Sequence, residues 1–148
     1  MSLKQRLDED VKAAMRAREK ERLLTLRLIT AAIKQREIDE RIVLDDSQVL
    51  AVLDKMVKQR RESIGHFDAA NRRDLADKER FELGLLLSYM PAALETAELE
   101  RLIVEAIAAT NASGVREMGS VMAKLKPQVQ GRVDMAALSQ RVKVLLGG

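Results

Sequence analysis

Apolar residues recur at intervals of three and four residues over most of the chain, which is the period expected of α-helices. The first such stretch follows Ser2, a residue type that commonly caps helices, and it predicts a helix to about Arg18. A second helix is predicted from about residue 19 to residue 39. Its apolar positions cover a wide face, which is typical of a helix in the middle of a bundle. They are Leu23, Leu24, Leu26, Leu28, Ile29, Ile33 and Ile38.

The helical periodicity lapses between residues 40 and 46 and then resumes. Asp46 or Ser47 is expected to cap a third helix, which ends near Ala70. A fourth helix is predicted to begin at Asn71. It should stop before Pro91, because a proline disfavours helical geometry in the residue that precedes it.

Three shorter helices are predicted in the remainder of the chain, each with a capping residue or a helix-breaking residue near its ends. They extend from Thr96 to the Asn-Ala-Ser-Gly stretch at 111–114, from about residue 115 to residue 126, and from Asp134 to near residue 145. Pro127 and Gly131 are expected to bracket a loop before the last of them.

No stretch of useful length alternates between apolar and polar residues as a strand would, so the predicted fold class is all-α. We predict two domains: an N-terminal bundle of about four helices, residues 1–91, and a small C-terminal three-helix unit, residues 92–148. The boundary follows Pro91, where one predicted helix has ended and the next has not begun.

The composition narrows the class of protein. Hydrophobic residues make up 47% of the chain and charged residues 33%, which excludes a disordered chain. There is no cysteine, so disulfides and thiolate nucleophiles are excluded. No apolar run approaches the roughly 18 residues of a membrane span, and residues 1–11 are charged where a signal peptide would be apolar. We therefore expect a cytoplasmic protein without membrane association.

Residues with catalytic or ligand-binding chemistry are few and isolated. His66 is the only histidine, and no serine or carboxylate stands at a spacing that would make it a catalytic base. A lone histidine without cysteine argues against a zinc site, and no acidic cluster has the spacing of a calcium loop. The glycines form neither a P-loop nor a dinucleotide-binding motif. No cofactor and no metal are predicted, and a binding module is favoured over an enzyme.

Four charged residues fall among the apolar positions of predicted helices: Arg27, Arg60, Glu79 and Glu82. Two cations and two carboxylates would then point toward one interior. We predict a partly buried ion-pair network that fixes the register of the helices. The alternatives are a polar pocket that holds a ligand and charged side chains that extend along their aliphatic stems to solvent.

Most basic residues are interleaved with acidic ones, which is typical of a solvated surface, and the net charge is only +3. The stretch from Ala123 to Val133 differs, because it contains Lys124, Lys126 and Arg132 and no carboxylate. On a helix end followed by a Gly/Pro loop, such cations and the backbone amides beside them can approach phosphates. The sequence supports a solvated surface and a nucleic-acid-binding surface equally here.

Several runs of sequence resemble the signature of the YqeY-like family. Near the C-terminus these are Met-Gly-Ser-Val-Met-Ala-Lys-Leu-Lys-Pro at 118–127, Gly-Arg-Val-Asp-Met at 131–135 and Leu-Ser-Gln-Arg-Val-Lys at 138–143. The N-terminal half agrees through Leu-Arg-Leu-Ile-Thr-Ala-Ala-Ile-Lys at 26–34, Lys-Gln-Arg-Arg-Glu-Ser-Ile at 58–64 and Tyr-Met-Pro at 89–91. The resemblance covers essentially the whole chain, and its motifs are structural rather than catalytic.

This family is similar to the tail domain of the B subunit of the bacterial glutamyl-tRNA(Gln) and aspartyl-tRNA(Asn) amidotransferase, which contacts the outer corner of tRNA. The resemblance implies a stand-alone tRNA-binding or tRNA-amidotransferase-associated accessory module. Carbon-nitrogen ligase activity with glutamine as amido donor is linked to the chain only through the family, because the chain contains no amidotransferase catalytic domain. The implied partners are tRNA and an aminoacyl-tRNA-related enzyme.

The residues that match the tail domain by position are packing and turn types: Gly119, Val121, Met122, Gly131 and Asp134, together with Arg132. Arg132 joins Lys124, Lys126 and Lys143 as the candidate phosphate contacts. The chain departs from the tail domain in a longer loop at 127–130. The alternative function is a protein-protein interaction module without RNA binding, with a surface around Met118 and Met122.

Overall fold

The computed structural model describes residues 1–148, and it is all-helical, as predicted. A single turn of 3-10 helix at Val115–Glu117 precedes the sixth of seven α-helices. The helices are α1 Leu3–Ala17, α2 Lys20–Glu40, α3 Asp46–Ala69, α4 Arg73–Leu87, α5 Thr96–Thr110, α6 Met118–Val129 and α7 Met135–Leu145. None of the seven has the length and apolar character that a membrane span requires.

The helices form two compact units. Helices α1 to α4 make up the first, Met1–Met90, and helices α5 to α7 make up the second, Pro91–Gly148. This division falls one residue before the predicted domain boundary. Each unit has an apolar core of its own.

The core of the first unit is built from aliphatic side chains on all four helices. Helix α2 contributes residues at helical spacing to it, and α4 contributes Leu86. The fully buried apolar positions across the unit are Leu7, Ala14, Leu26, Ile29, Val49, Leu53 and Ala76. The wide apolar face of α2, which suggested a place in the middle of a bundle, is only partly buried. Leu24, Leu28 and Ile38 are 63%, 48% and 61% exposed, because the helix packs against its neighbours on one side only.

Side chains at the helix starts explain where the chain turns. Ser2 accepts a hydrogen bond from the Gln5 amide and the Gln5 side chain accepts one from the Ser2 amide, which is a capping box. Asp45 and Gln48 form the same arrangement at α3, so the cap is Asp45 and not Asp46 or Ser47 as predicted. Asp46 instead accepts a hydrogen bond from the Leu3 amide at 2.9 Å.

A carboxylate fixes the link between α2 and α3. Glu37 accepts hydrogen bonds from Lys4 Nζ at 2.6 Å and from the Leu44 amide at 2.9 Å. The Lys4 hydrogen bond, followed by that of the Leu44 amide, lowers the pKa of Glu37. One side chain therefore ties α1, α2 and the α2–α3 link together.

The end of the first unit is held by Tyr89, the only tyrosine of the chain. Its side chain is buried, its hydroxyl donates to Asp10 on α1, and the Arg6 guanidinium lies 4.7 Å from the ring centroid. Burial, followed by the hydrogen bond to Asp10, raises the pKa of Tyr89 to about 12. The phenol is therefore neutral at physiological pH and acts as a hydrogen-bond donor to a carboxylate.

We expect Tyr89→Phe to lower the free energy of unfolding by about 1.5 to 3 kcal/mol, the usual value of a hydrogen bond to a charged group. The ring and its contact with Arg6 are retained, so the loss reports on the hydroxyl. Urea unfolding of the parent, Tyr89→Phe, Asp10→Asn and the double variant measures it. The double variant should cost less than the sum of the single variants, and strictly additive losses would show that the two groups do not interact.

Candidate functional site

Helix α6 carries two of the predicted phosphate-contacting residues. Lys124 and Lys126 are exposed and form no ion pair within the chain. The opposite side of the helix is anchored in the core of the second unit by Val121, Leu125 and Val129, all fully buried. The two lysines are therefore displayed on a rigid helix whose orientation is set by core packing.

The predicted loop bracketed by Pro127 and Gly131 is wrong in its first half. Pro127 lies inside α6, which continues to Val129, and Gly131 makes the turn with a φ of 76°. Burial of Val129 in the core offsets the backbone hydrogen bond that a proline cannot donate. The Gln130 amide bonds to the Lys126 carbonyl, so it is not free to approach a phosphate. Recognition here falls to side chains.

Arg132 has a structural role that the sequence did not indicate. It is half-buried, and its Nε donates to the Ala92 carbonyl at 2.9 Å. Its own carbonyl accepts a hydrogen bond from the Leu94 amide at 3.0 Å. Arg132 thus holds the segment before α5 against the α6–α7 turn. The terminal Nη groups of its guanidinium keep no partner within the chain, so they remain available to a phosphate.

Helix α7 adds Lys143, which is exposed and forms no ion pair. Its neighbour Arg141 behaves differently, because it makes a two-point contact with Glu100 on α5, with Nη2 at 3.1 Å from Oε2. From Met118 to Gly148 the chain has five cations and one carboxylate, Asp134. Helix α6, the turn and α7 form the basic part of the second unit, which we call the basic segment.

The outward face of α6 on the N-terminal side of the lysines consists of small residues. Gly119, Ser120 and Ala123 are exposed there, and a Cβ added to Gly119 would meet no atom within 4 Å. Packing inside the unit therefore does not require glycine at this position. A face without bulk lets the backbone of a nucleic acid come close to the helix and within reach of the flanking lysines.

The other positions carried over from the tail domain are structural. Val121 is fully buried and Met122 is half-buried against the same core, as is Met118. Gly131 has the left-handed conformation that favours glycine, and Asp134 caps α7 by accepting a hydrogen bond from the Ala136 amide at 3.2 Å. The core thus covers part of the two methionines around which a protein-binding surface was predicted.

Three of the four residues of the predicted ion-pair network lie together in the first unit. Arg60 Nε is 3.5 Å from Glu79 Oε2 and 3.6 Å from Glu82 Oε2. The exposed fractions of the three side chains are 17%, 23% and 9%, so the group is largely withdrawn from water. Arg60 Nε and Glu79 Oε2 have no hydrogen-bond partner, because their separation suits an ion pair better than a hydrogen bond.

The electrostatic balance of this cluster is uneven, since two carboxylates share one guanidinium. Burial raises the pKa of Glu82, Arg60 opposes that shift, and the negative charge of Glu79 adds to it. Arg27, the fourth predicted member, lies outside the cluster. It is exposed on α2, and its Nη2 is 3.4 Å from Met15 Sδ. The apolar face that was expected to bury Arg27 is itself in solvent.

The first unit contains the only histidine of the chain. His66 is exposed in the last turn of α3. No group of three or more histidine, cysteine or acidic side chains is placed to hold a metal ion.

Sequence reasoning missed a row of cations on α2. Lys20, Arg27 and Lys34, followed by Arg41 at the C-cap, stand seven residues apart, and all four are exposed without ion pairs. Neighbouring cations on the same helix are paired, Arg22 with Glu19 and Arg36 with Glu40. The seven-residue spacing is the signal that could have found this row.

Comparison with known proteins gives a consistent result. The model of a family described as Yqey-like protein matches residues 4–146. Three similar proteins all carry the name altered inheritance of mitochondria protein 41, mitochondrial. The Pyrenophora tritici-repentis protein is 32% identical over 96% of this chain and 80% of its own length. The Kluyveromyces lactis protein is 33% identical over 93% and 72%, and the Eremothecium gossypii protein 42% over 68% and 55%.

These names contradict the predicted cytoplasmic location, because each describes a mitochondrial protein. The prediction rested on the missing cysteines and the charged N-terminal residues. Neither feature separates the cytosol from other compartments in which a protein needs no disulfide.

Proposed function

The chain belongs to the YqeY-like protein family, and from this premise we propose that it is a tRNA-binding accessory module. One observation carries the proposal: the basic segment holds Lys124, Lys126 and Lys143 exposed and without carboxylate partners. Unpaired cations on a rigid surface keep their full charge for phosphates, whereas cations already in ion pairs would have to give up a partner first.

The geometry favours contacts with the sugar-phosphate backbone rather than with bases. Lys124 and Lys126 flank the small outer face of α6, and no aromatic side chain lies in the second unit to stack on an unpaired base. Lysine heads reach phosphates as point charges and carry no sequence information. We therefore expect binding that depends on the shape and charge of folded tRNA more than on its sequence.

A tRNA-binding accessory module of this kind would act beside an enzyme that modifies the aminoacyl group of tRNA. Association with a tRNA amidotransferase, and with carbon-nitrogen ligation that uses glutamine as amido donor, rests on the family resemblance. The chemistry would belong to that enzyme, and this chain would contribute tRNA binding. The names of the relatives favour a mitochondrial setting. A protein-protein interaction module without RNA binding is the alternative, and it predicts no affinity for tRNA.

Adding bulk to the outer face of α6 tests the interface without removing a charge. Gly119→Gln is expected to weaken binding of unfractionated tRNA roughly threefold to tenfold, the loss of one or two phosphate contacts. Stability should not fall, because the position is open and glutamine is the better helix former. Fluorescence anisotropy with labelled tRNA measures binding, and thermal unfolding measures stability.

Ala97→Gln is the matched control, since Ala97 is exposed in the first turn of α5, outside the basic segment. It should bind tRNA as the parent does. Equal affinity of the parent and Gly119→Gln would remove the α6 face from the interface. No measurable binding of tRNA by the parent chain would overturn the proposed function and leave the interaction module.

A further inference from the structure

Helix α2 has a second apolar face that its own unit does not cover. Leu24, Leu28, Ala31, Gln35 and Ile38 follow one another at alternating steps of four and three, and all five are exposed. This spacing is the heptad pattern of helices that pack lengthwise on another helix. A helix that only closes its own unit needs one apolar stripe, and Leu26, Ile29 and Ile33 already supply it. We call the exposed set the α2 seam.

The cation row borders one edge of the α2 seam. Lys20, Arg27, Lys34 and Arg41 each precede a seam position or its continuation by one residue, which is where charges flank a helix-helix contact. All four are exposed and none is in an ion pair. The other edge holds Thr25, Ala32 and Asp39, so it is almost uncharged. The exposed face of α2 therefore has an apolar centre and one strongly basic edge.

A groove of the same unit lies beside the N-terminal half of the α2 seam. Leu24 and Leu28 of α2 and Phe81 of α4 supply its apolar lining, and its volume is about 310 Å³. Two cations and two carboxylates also line the groove: Arg27, Lys78, Glu21 and Glu82. Phe81 is 38% exposed, which is high for an aromatic side chain in a chain that has only two phenylalanines and one tyrosine. The groove gives the seam a concave flank into which the side chains of a second helix can fit.

We propose that the α2 seam binds an amphipathic helix of another protein, one that carries carboxylates along the edge that faces Lys20, Arg27 and Lys34. The apolar residues of that helix pack on Leu24, Leu28 and Ile38 and against Phe81. Its carboxylates pair with the cation row, which the fold leaves without partners. Charge complementarity sets the orientation and the choice of partner.

Two other occupants fit the face less well. If two copies paired through antiparallel α2 helices, the cation row of one copy would face the cation row of the other. If the helices were parallel, the cation row would face the opposite edge of the second copy, where Asp39 is the only carboxylate. A lipid surface would cover both edges and the centre, whereas this face has cations along one edge and Gln35 within the seam. An acidic helix satisfies both the charge and the concave flank.

The probe is a labelled 21-residue helical peptide. It has leucine at alternating steps of four and three residues, as in the α2 seam, and glutamate at the positions on both sides of each leucine. The comparison peptide has lysine in place of each of those glutamates. The full chain should bind the glutamate peptide and bind the lysine peptide at least about tenfold more weakly. Leu28→Asp should weaken binding of the glutamate peptide roughly 30-fold, because it buries a charge in the apolar centre.

A double charge reversal, Arg27→Glu with Lys34→Glu, should exchange the preference so that the lysine peptide binds more tightly than the glutamate peptide. The matched control for this double variant is Lys55→Glu with Arg61→Glu, which reverses two exposed cations of α3. The matched control for Leu28→Asp is Val104→Asp, which places an aspartate at an exposed apolar position of α5. Both controls should bind as the parent does. All variants alter exposed positions, and circular dichroism checks that each remains folded.

Failure of the parent to bind the glutamate peptide, or equal binding of both peptides, overturns the proposal. So does a concentration-dependent dimer in sedimentation that Leu28→Asp abolishes, because the occupant would then be a second copy. Binding to vesicles of equal parts phosphatidylserine and phosphatidylcholine that requires Arg27 and Lys34, without peptide binding, would also overturn it. Retention of tRNA binding by Leu28→Asp keeps this result separate from the proposed function.

Discussion

Arg60→Met is expected to lower the free energy of unfolding by about 3 kcal/mol or more, since it leaves buried carboxylates without their counter-charge. Arg60 lies 3.5 and 3.6 Å from Glu79 and Glu82, and the three side chains are at most 23% exposed. Methionine has a similar length and fits the space of the arginine stem, so the loss reflects charge rather than a cavity. Urea unfolding followed by circular dichroism measures it.

The pH dependence of this loss distinguishes stranded charge from lost packing. The folded pKa of Glu82 is raised already in the parent, so its ionisation opposes folding as pH rises through that pKa. Arg60 lowers the pKa of Glu82, so without Arg60 this pKa should rise further, and ionisation of Glu82 should destabilise the folded state more. The deficit of Arg60→Met should therefore be largest at neutral pH and should shrink as the pH falls toward 4.5, where the carboxyls take up protons in both states.

Glu82→Gln is the matched control for the same cluster. It leaves one carboxylate, Glu79, with one guanidinium, and it removes the carboxyl whose charged form burial disfavours. We expect it to cost far less than Arg60→Met at neutral pH. If Arg60→Met unfolds at the same urea concentration as the parent, or if its deficit is the same at pH 5 and pH 7, the cluster does not hold the fold together.

Most of the fold could be predicted from local sequence signals because each helix carries them. Ser2 and Gln5 form the capping box of α1, and the stop of α4 before Pro91 follows from the chemistry of proline. Pro127 was misleading for the opposite reason. It lies within α6 because Val129, two residues later, is buried in the core, and tertiary packing of that kind is not encoded in the local sequence.

The exposure of the second apolar face of α2 could not be predicted from the spacing of its residues. Periodicity reveals which residues are apolar at helical spacing, and Leu24 and Leu28 meet that test as well as Leu26 and Ile29 do. It does not reveal how many neighbours a helix has. The structure provides neighbours for one stripe only, so the second stripe and Arg27 beside it lie in solvent.

Some properties of the candidate phosphate contacts could be predicted from the local sequence, and others depend on the fold. The absence of carboxylates from 123–133 singled out Lys124 and Lys126, and that property of the sequence is independent of the fold. The part played by Arg132 depends on residues 40 positions away, because its Nε bonds to the Ala92 carbonyl. Long-range hydrogen bonds of this kind leave no periodic trace, so a side chain that supports the fold looks like one that is free to bind.

Charge removal from the basic segment is expected to reduce the salt dependence of tRNA binding. With Lys124→Ala, Lys126→Ala and Lys143→Ala combined, the slope of log affinity against log salt should decrease in magnitude by roughly 2 to 3, because each phosphate contact contributes about 0.9 for duplex and 0.7 for single strands. The side-chain ammonium groups of the three lysines have no partner within the chain, so their removal should leave stability within about 0.5 kcal/mol of the parent.

Arg132 must be tested apart from the lysines, because Arg132→Ala also releases Ala92 and destabilises the segment before α5. The control for the triple variant is Lys55→Ala, Arg61→Ala and Arg73→Ala, which removes three exposed cations from the first unit at the same cost in net charge. If binding depended on net charge alone, both triple variants would lose the same slope. If the salt slope decreases only in the variant that lacks Lys124, Lys126 and Lys143, the phosphate contacts lie on α6 and α7. If the salt slope of that variant equals that of the parent, the phosphate contacts lie elsewhere.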